Sequence, residues 1–248
     1  MNETIELLQN HRSIRKLKDE PLSGDVIHTL VESAQMASTS SFVQAYSIIG
    51  VTDRPKKEKL AQLAGNQPYV AENGHFFVFC ADFHRHIHAG EMEQTDVIPA
   101  IESAEKMIVA VTDAALAAQN CSIAAESMGL GICYIGGLRN NIEEVSELLQ
   151  LPDYVIPLFG IAVGFPEAEP DRKPRLPLEG IYFENAYPAP DKHTEQLRAY
   201  NDTISAYYEE RTAGARSDRW TQQVSGLLKD VKRPHMKQFL ENKGYNRR

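Results

Sequence analysis

The stretch from Ile108 to Met128 constrains this chain more than any other part of it. It is the longest apolar run, and Asp113, Gln119, Asn120 and Glu126 interrupt it. Those polar residues argue against a membrane span. A helix this apolar must then be buried on most faces, at the centre of a fold or at a subunit interface. Gly129 and Gly131 are expected to end it. The chain has 248 residues, enough for one large domain or two small ones, and the rest of it must pack around that helix.

The flanking patterns supply the other elements. Helices are expected over Thr4 to Gln9, Asp25 to about Ala37 with Ser23 as N-cap, Pro55 to Leu63, Asn141 to Gln150 and Glu195 to Arg211. Val26, Ile27, Leu30, Val31 and Ala34 form one stripe at helical spacing. Strands are expected at Ser47 to Val51, Phe76 to Ala81, Ile132 to Ile135 and Val155 to Val163. The unbroken apolar run at Phe76 marks a central strand. Ile87 to Thr95 reads as a loop or short helix. Helices dominate and the strands are not spaced as regular βαβ units, so the fold class is α+β. After Gly164 the character changes: Pro166, Pro170, Pro174 and Pro177 make an irregular segment, and a polar C-terminal region follows. That region has too little apolar content for a core of its own and should wrap the main body or a second subunit, with Trp220 as a staple. The expected organisation is one domain over residues 1–248, with a core at 1–165 and an extension at 166–248.

Net charge is −8, which disfavours a general nucleic-acid partner. Cys80, Cys121 and Cys133 are odd in number and lack Cys-x-x-Cys spacing, so neither a disulfide framework nor a zinc or iron–sulfur site is expected. Cys80 and Cys121 read as core residues. Met1 to Glu6 is acidic and has no apolar signal core, so a reduced, cytoplasmic setting is expected, with no membrane partner. His84-Arg85-His86-Ile87-His88 reads as an exposed charged turn rather than a metal site.

Four segments have the composition of a ligand site. His11-Arg12-Ser13-Ile14-Arg15 gathers two guanidinium groups, an imidazole and a hydroxyl in one turn, a set suited to an anion. Ser38-Thr39-Ser40-Ser41-Phe42 is rich in short donors and acceptors. Tyr134-Ile135-Gly136-Gly137-Leu138-Arg139-Asn140-Asn141 runs from a strand through two glycines into a helix start, where backbone can approach a ligand closely. A plain glycine turn with an Asn cap fits that segment as well. It lacks the Gly-x-Gly-x-x-Gly spacing of a dinucleotide fold. Lys173-Pro174-Arg175 holds two cations on an extended backbone, either to grip a phosphate or simply as a solvated loop. No nucleophile elbow occurs, so hydrolase chemistry has no support.

Taken in order, these motifs resemble those of the FMN-dependent, oxygen-insensitive NADPH nitroreductase and NADPH–flavin oxidoreductase family, of the flavin reductase P-like, Bacillus-type group. Gly65-Asn66-Gln67-Pro68-Tyr69-Val70 and Tyr207-Tyr208-Glu209-Glu210-Arg211-Thr212 complete the set, which spans nearly the whole chain. The resemblance implies a mixed, largely antiparallel sheet flanked by helices, in an intertwined homodimer whose C-terminal extension wraps the partner. It also implies FMN and NADPH as cofactors. His11, Arg12 and Ser13, with Lys173 and Arg175, would hold the FMN phosphate and ribityl chain. Arg15 would approach the N1/O2 edge of the flavin and tune it. Thr39 and Gln67 would meet its polar edge and side chain, with Tyr69 nearby. Tyr134, Ile135, Gly136 and Gly137 would line it, with the two glycine N–H groups at N5 and O4. Phe42 would face the substrate, and Arg211 and Arg216 would grip the 2′-phosphate of NADPH. Residues between those two arginines depart from the family's usual ones, and Thr39 stands where many relatives carry Ser. No side-chain acid or base and no metal is implied. The activity implied is two-electron transfer from NADPH through FMN to free flavin, nitroaromatics or quinones. A flavin-binding protein without turnover, in storage or sensing, is the alternative, and an anion-binding scaffold is a third reading.

Overall fold

Side-chain caps set the first helix starts in the computed structural model, which describes residues 2–248. The Asn2 side chain accepts from Ile5 N at the start of α1 (Glu3–Gln9). Ser23 accepts from Val26 N for α2 (Gly24–Gln35), as its position before the apolar stripe implies. Strand β1 is Tyr46–Val51, and Asp53 then caps α3 (Arg54–Leu63) through Lys56 N. Each such cap stabilises its helix by about 1 kcal/mol. The remaining elements are β2 (His75–Asp82), α4 (His84–Met92), α5 (Ile98–Ile101), α6 (Ala104–Ser127), β3 (Gly131–Ile135), α7 (Ile142–Leu148), β4 (Val155–Gly164), α8 (Pro190–Arg211), α9 (Trp220–Leu228) and α10 (Met236–Asn242). The fold class is thus the expected α+β.

The sheet order is β1-β2-β4-β3 and all three pairings are antiparallel. Strand β2 is interior and buried along its whole length. Phe77, Phe79 and Ala81 face a cluster that includes α6, whereas Phe76, Val78 and Cys80 face a cluster that includes Leu60, Leu63 and Val145. Covering both faces of the sheet is what makes the run continuously apolar instead of alternating. Strand β4 carries a bulge that its apolar run does not announce: Phe79 pairs with Phe159 and Cys80 with Pro157, leaving Leu158 unmatched. A proline has no N–H for an interior ladder, so the register slips there. The Arg139 guanidinium donates to the freed Leu158 carbonyl.

Helix α6 is the centre that its composition demands. Ala110, Ala114, Ala117, Ala118, Cys121 and Ala125 are buried in the cluster that takes in the sheet. Small side chains let a helix lie close on β-branched and aromatic neighbours. It is long and apolar enough to cross a membrane by length and composition, yet it serves as a core helix. Burial on most faces is not realised in the single chain, because Ile108 is 62% and Leu116 43% exposed. Gly129 ends the helix with φ +76°, while Leu130 N donates to Ala125 O and Gly129 N to Glu126 O. That pair of bonds is a Schellman cap. Gly131, expected to share this role, is already the first residue of β3.

The chain divides into two compact units, Met1–Pro170 with His235–Arg248, and Asp171–Pro234. The return of the last residues to the first unit is invisible in their polar composition. Phe239 and Tyr245 are buried in its core, the Tyr245 hydroxyl donates to Tyr154 O at 2.7 Å, and Arg247 and Arg248 both bond Glu102. The second unit has a small core after all. Tyr200, Ile204 and Tyr208 recur every four residues along α8 and pack with Leu176, Tyr207 and Trp220. Trp220 lies 5.8 Å from Tyr200, so it staples α9 to α8.

Candidate flavin and nucleotide site

The His11–Arg15 segment is extended rather than a single converging turn. Ile14 and Leu17 are buried, and Ile14 N donates to Ile132 O, which pins the segment along β3. His11 and Arg12 lie on one side of buried Ile14 in sequence and Arg15 on the other, and they meet different neighbours. His11 Nδ1 lies 2.6 Å from Glu126 Oε1 on α6, and Arg12 lies 3.3 Å from Glu169. Both pairs border a cleft of about 120 Å³. Ser13 is half-buried, and Arg15 is exposed. Arg15 turns instead toward Tyr69 and Cys133. Burial raises the Tyr69 phenol and the Cys133 thiol, and in both the Arg15 charge pulls the other way.

Arg15 thereby joins a second group of expected residues. The Gln67 amide donates to Ala64 O at 2.6 Å, and the Tyr69 hydroxyl donates to Gln67 Oε1. Gly137 sits against the same atoms: a Cβ there would lie 2.4 Å from Ala64 O and 2.6 Å from Gln67 Nε2. Only glycine fits so close an approach. Gly136 begins the tight turn Gly136–Asn141, and Asn141 Nδ2 ties it to Leu63 O at the end of α3. Ile135 is buried. The Tyr134 hydroxyl bonds Ser122 and Gln119 on α6, and its ring packs 5.5 Å from that of Phe159.

The Ser38–Phe42 segment is a strained loop. Ser41, Phe42 and Gln44 have φ of 49°, 59° and 55°, and none is glycine. Thr39 is half-buried at its start, and Phe42 is 82% exposed at its tip. Asp113, fully buried on α6, accepts Ser40 N at 2.9 Å and Ala45 N at 3.0 Å. Asp113 and Glu126 are positioning groups outside the motifs, and Arg139 and Asn141 stand within the Tyr134–Asn141 motif without a role assigned to them. The one signal for Asp113 is a carboxylate inside an otherwise apolar helix.

The other cations belong to the second unit. Lys173 Nζ donates to the Tyr208 hydroxyl at 3.0 Å, and Arg216 stacks 4.5 Å over the same ring. The Lys173 hydrogen bond, with the Arg216 charge, lowers the Tyr208 phenol. Arg211 donates to the Tyr207 hydroxyl at 2.7 Å, and Arg216 bonds Asp218 at 2.6 Å. Arg175 is exposed and donates to Lys173 O.

His84 and His88 fall on helix α4 rather than in a turn, with their Nε2 atoms 3.3 Å apart. Among the described residues no group of three or more His, Cys, Asp or Glu is placed to hold a metal ion. The three cysteines are free and buried, and burial pushes the Cys121 thiol up to about 12.

A model of the nitroreductase family matches residues 8–165, and one of the nitroreductase family, C-terminal domain, matches residues 173–248. The chain belongs to the nitroreductase family. It is 53% identical to an "FMN reductase (NADPH)" of Bacillus subtilis (strain 168) over 248 residues, 100% of each chain. It is 50% identical to a "CR(VI) reductase" of Pseudomonas sp. (strain G-1) over 97% of this chain and 98% of that one. A solved structure of B. megaterium NfrA1 superposes with a TM-score of 0.98 at 61% identity, covering 99% of this chain and 100% of that one. Family membership accounts for the ordered motifs, which lie almost wholly within the two matched ranges.

Proposed function

We propose that this nitroreductase-family protein is an NADPH-dependent, FMN-containing oxidoreductase that reduces small planar acceptors, with free flavin first and nitroaromatics and quinones beside it. The observation that carries the reading is the convergence of Arg15, Gln67, Tyr69 and Gly137 at the end of β3. The names of the two similar enzymes, an NADPH-dependent FMN reductase and a chromate reductase, support the same reaction class.

The residues present fit FMN. A flavin ring needs polar partners along one edge and a wall without side chains, and Gly137 leaves no room for a Cβ beside Gln67. Its phosphate needs hydrogen-bond donors and positive charge, and His11 and Arg12 of the first unit would supply them. FMN bound there would supply the two-electron redox chemistry between NADPH and the acceptor. The protein's share is binding and electrostatics. Arg15 would hold positive charge at the N1/O2 edge, a preorganised contact of a kind worth about 2–4 kcal/mol. Gln67, locked by Ala64 O and Tyr69, would offer a fixed amide, and Thr39 a hydroxyl. The backbone N–H groups of Gly136 and Gly137 would face N5 and O4. Tyr134 and Ile135 would complete the wall, and Phe42 would line the open face. Arg211 and Arg216 would read the 2′-phosphate of NADPH, with Asp218 as the competitor for Arg216.

The same reading includes a homodimer in which the C-terminal extension embraces the partner. The exposed apolar positions Ile5, Leu8, Ile108 and Leu116 supply surface for that contact. It also includes a reducing, cytoplasmic setting, in keeping with three free thiols. The test is a steady-state screen of NADPH against NADH with FMN, a quinone, a nitroaromatic and chromate, on protein whose flavin content and sedimentation are measured first. A yellow protein that NADPH reduces, with turnover of FMN, is expected. A yellow protein that stays oxidised under NADPH overturns the enzyme and leaves a binding protein. A colourless one that FMN does not reconstitute overturns both.

A further inference from the structure

A buried charge on an alanine-rich helix requires a reason, because a carboxylate out of water is costly unless its lone pairs are taken up. Asp113 has no solvent exposure, and its neighbours Ala110, Ala114 and Ala117 are buried alanines. Its two oxygens take different N–H groups, Oδ1 that of Ser40 and Oδ2 that of Ala45. Those two donors bracket the whole left-handed stretch of Ser41, Phe42 and Gln44. Non-glycine residues persist in that region only when their surroundings over-determine them. Other bonds at the loop include Val43 N to Ser40 O at 2.9 Å, Tyr46 N to Gln44 O at 2.9 Å and His86 Nε2 to Val43 O at 2.7 Å, but none of these three joins its two ends to one group. A neutral apolar residue at 113 would suit the core and leave both N–H groups unmet.

We infer that Asp113 is a positioning residue for substrate selection: it clamps both ends of the Ser40–Ala45 loop and so holds Phe42 in the orientation that defines the open face of the flavin site. This rests on the proposed function for the role of Phe42, though not for the clamp itself. The clamp needs two acceptor oxygens, since Asn offers one acceptor and turns an N–H₂ toward the other backbone donor. The clamp orders a loop whose aromatic tip is exposed, so that NADPH and acceptor meet a preformed aromatic wall without ordering one on arrival.

The test uses the FMN-loaded protein and the variants Asp113→Asn, Phe42→Ala and their combination. In Asp113→Asn, amide exchange should rise about 10-fold or more at whichever of Ser40 and Ala45 loses its acceptor, as expected for loss of a charged hydrogen bond. KM for NADPH and for a nitroaromatic should rise about 5-fold or more, with kcat and retained FMN within about 2-fold. In the Phe42→Ala background the same change should leave KM unaltered, because the clamp then has no wall to aim. Ser40→Pro, which deletes one donor at an exposed position, gives a second route if Asp113→Asn does not fold, and should raise exchange at Ala45 and KM in the same direction. Unchanged exchange at Ser40 and Ala45 overturns the clamp. Raised exchange with unchanged KM, or an equal KM effect with and without Phe42, overturns its role in selection. Wild-type protein that NADPH does not reduce overturns the proposed function instead, and the exchange measurement still judges the clamp.

Discussion

At the scale of single residues, close approach explains more than charge does. The glycine at 137 is required because backbone and a locked amide occupy the space of its Cβ. Gly137→Ala should therefore displace Gln67 or the end of α3, since a Cβ 2.4 Å from a carbonyl oxygen cannot stand. The expected outcome is purified protein with markedly less bound FMN and a melting temperature lower by several degrees, an overpacking cost of about 1–3 kcal/mol. Flavin absorbance and a thermal scan check it; full flavin and an unchanged melting temperature would show that the turn yields. Charge is redistributed by neighbours that lie far away in sequence. His11 and Arg12 look like free cations in their own segment, but Glu126 and Glu169 reach them from elsewhere. Arg15, in the same segment, interacts with Tyr69 instead. Composition identified the cations. It could not say which carboxylates they would meet, because sequence separation hides spatial pairing.

At the scale of elements, strand β2 has an acid-sensitive first residue. His75 is buried with its ring 4.3 Å from that of Phe77, and neither ring nitrogen has a hydrogen-bond partner. Burial, with Lys57 nearby, lowers its pKa from 6.5 to about 4. The folded protein therefore keeps His75 neutral while the unfolded chain takes up the proton. Stability is fully present above about pH 6.5 and falls as pH drops toward 4, by up to about 1.4 kcal/mol per unit from this group. Urea unfolding across that window should show the slope in the wild type and a shallower one in His75→Leu. An identical slope in both would assign the acid loss to other groups. Element identity was largely legible: Ser23 caps α2, the Phe76 run is an interior strand, and the Ile108 stretch is the central helix. The bulge at Leu158 was not, because a proline inside an apolar run says that a ladder bond is missing without saying where the register recovers. Nor was the helical spacing of His84 and His88, whose alternation with Arg85 and Ile87 suits a turn equally well.

For the whole molecule, the informative segment is the last one. Composition sets residues 235–248 with a polar extension, yet Tyr245 has no solvent exposure and its hydroxyl bonds Tyr154 O. Tyr245→Ala should destabilise the unit comprising Met1–Pro170 and His235–Arg248 by about 3–5 kcal/mol, the usual cost of emptying a large buried aromatic site. Denaturant unfolding of the purified variant measures this, and a loss below about 1 kcal/mol would mean that the segment is dispensable. The sequence by itself determined the α+β class, the central helix, the interior strand and the segments that carry ligand chemistry, because each depends on local composition and period. Tertiary structure alone decided that Asp113 holds the Ser40–Ala45 loop, that Glu126 takes His11, and that the chain's end returns to the first core. Those facts rest on contacts between residues far apart along the chain, and the pattern of a segment records what it must bury without naming what will cover it.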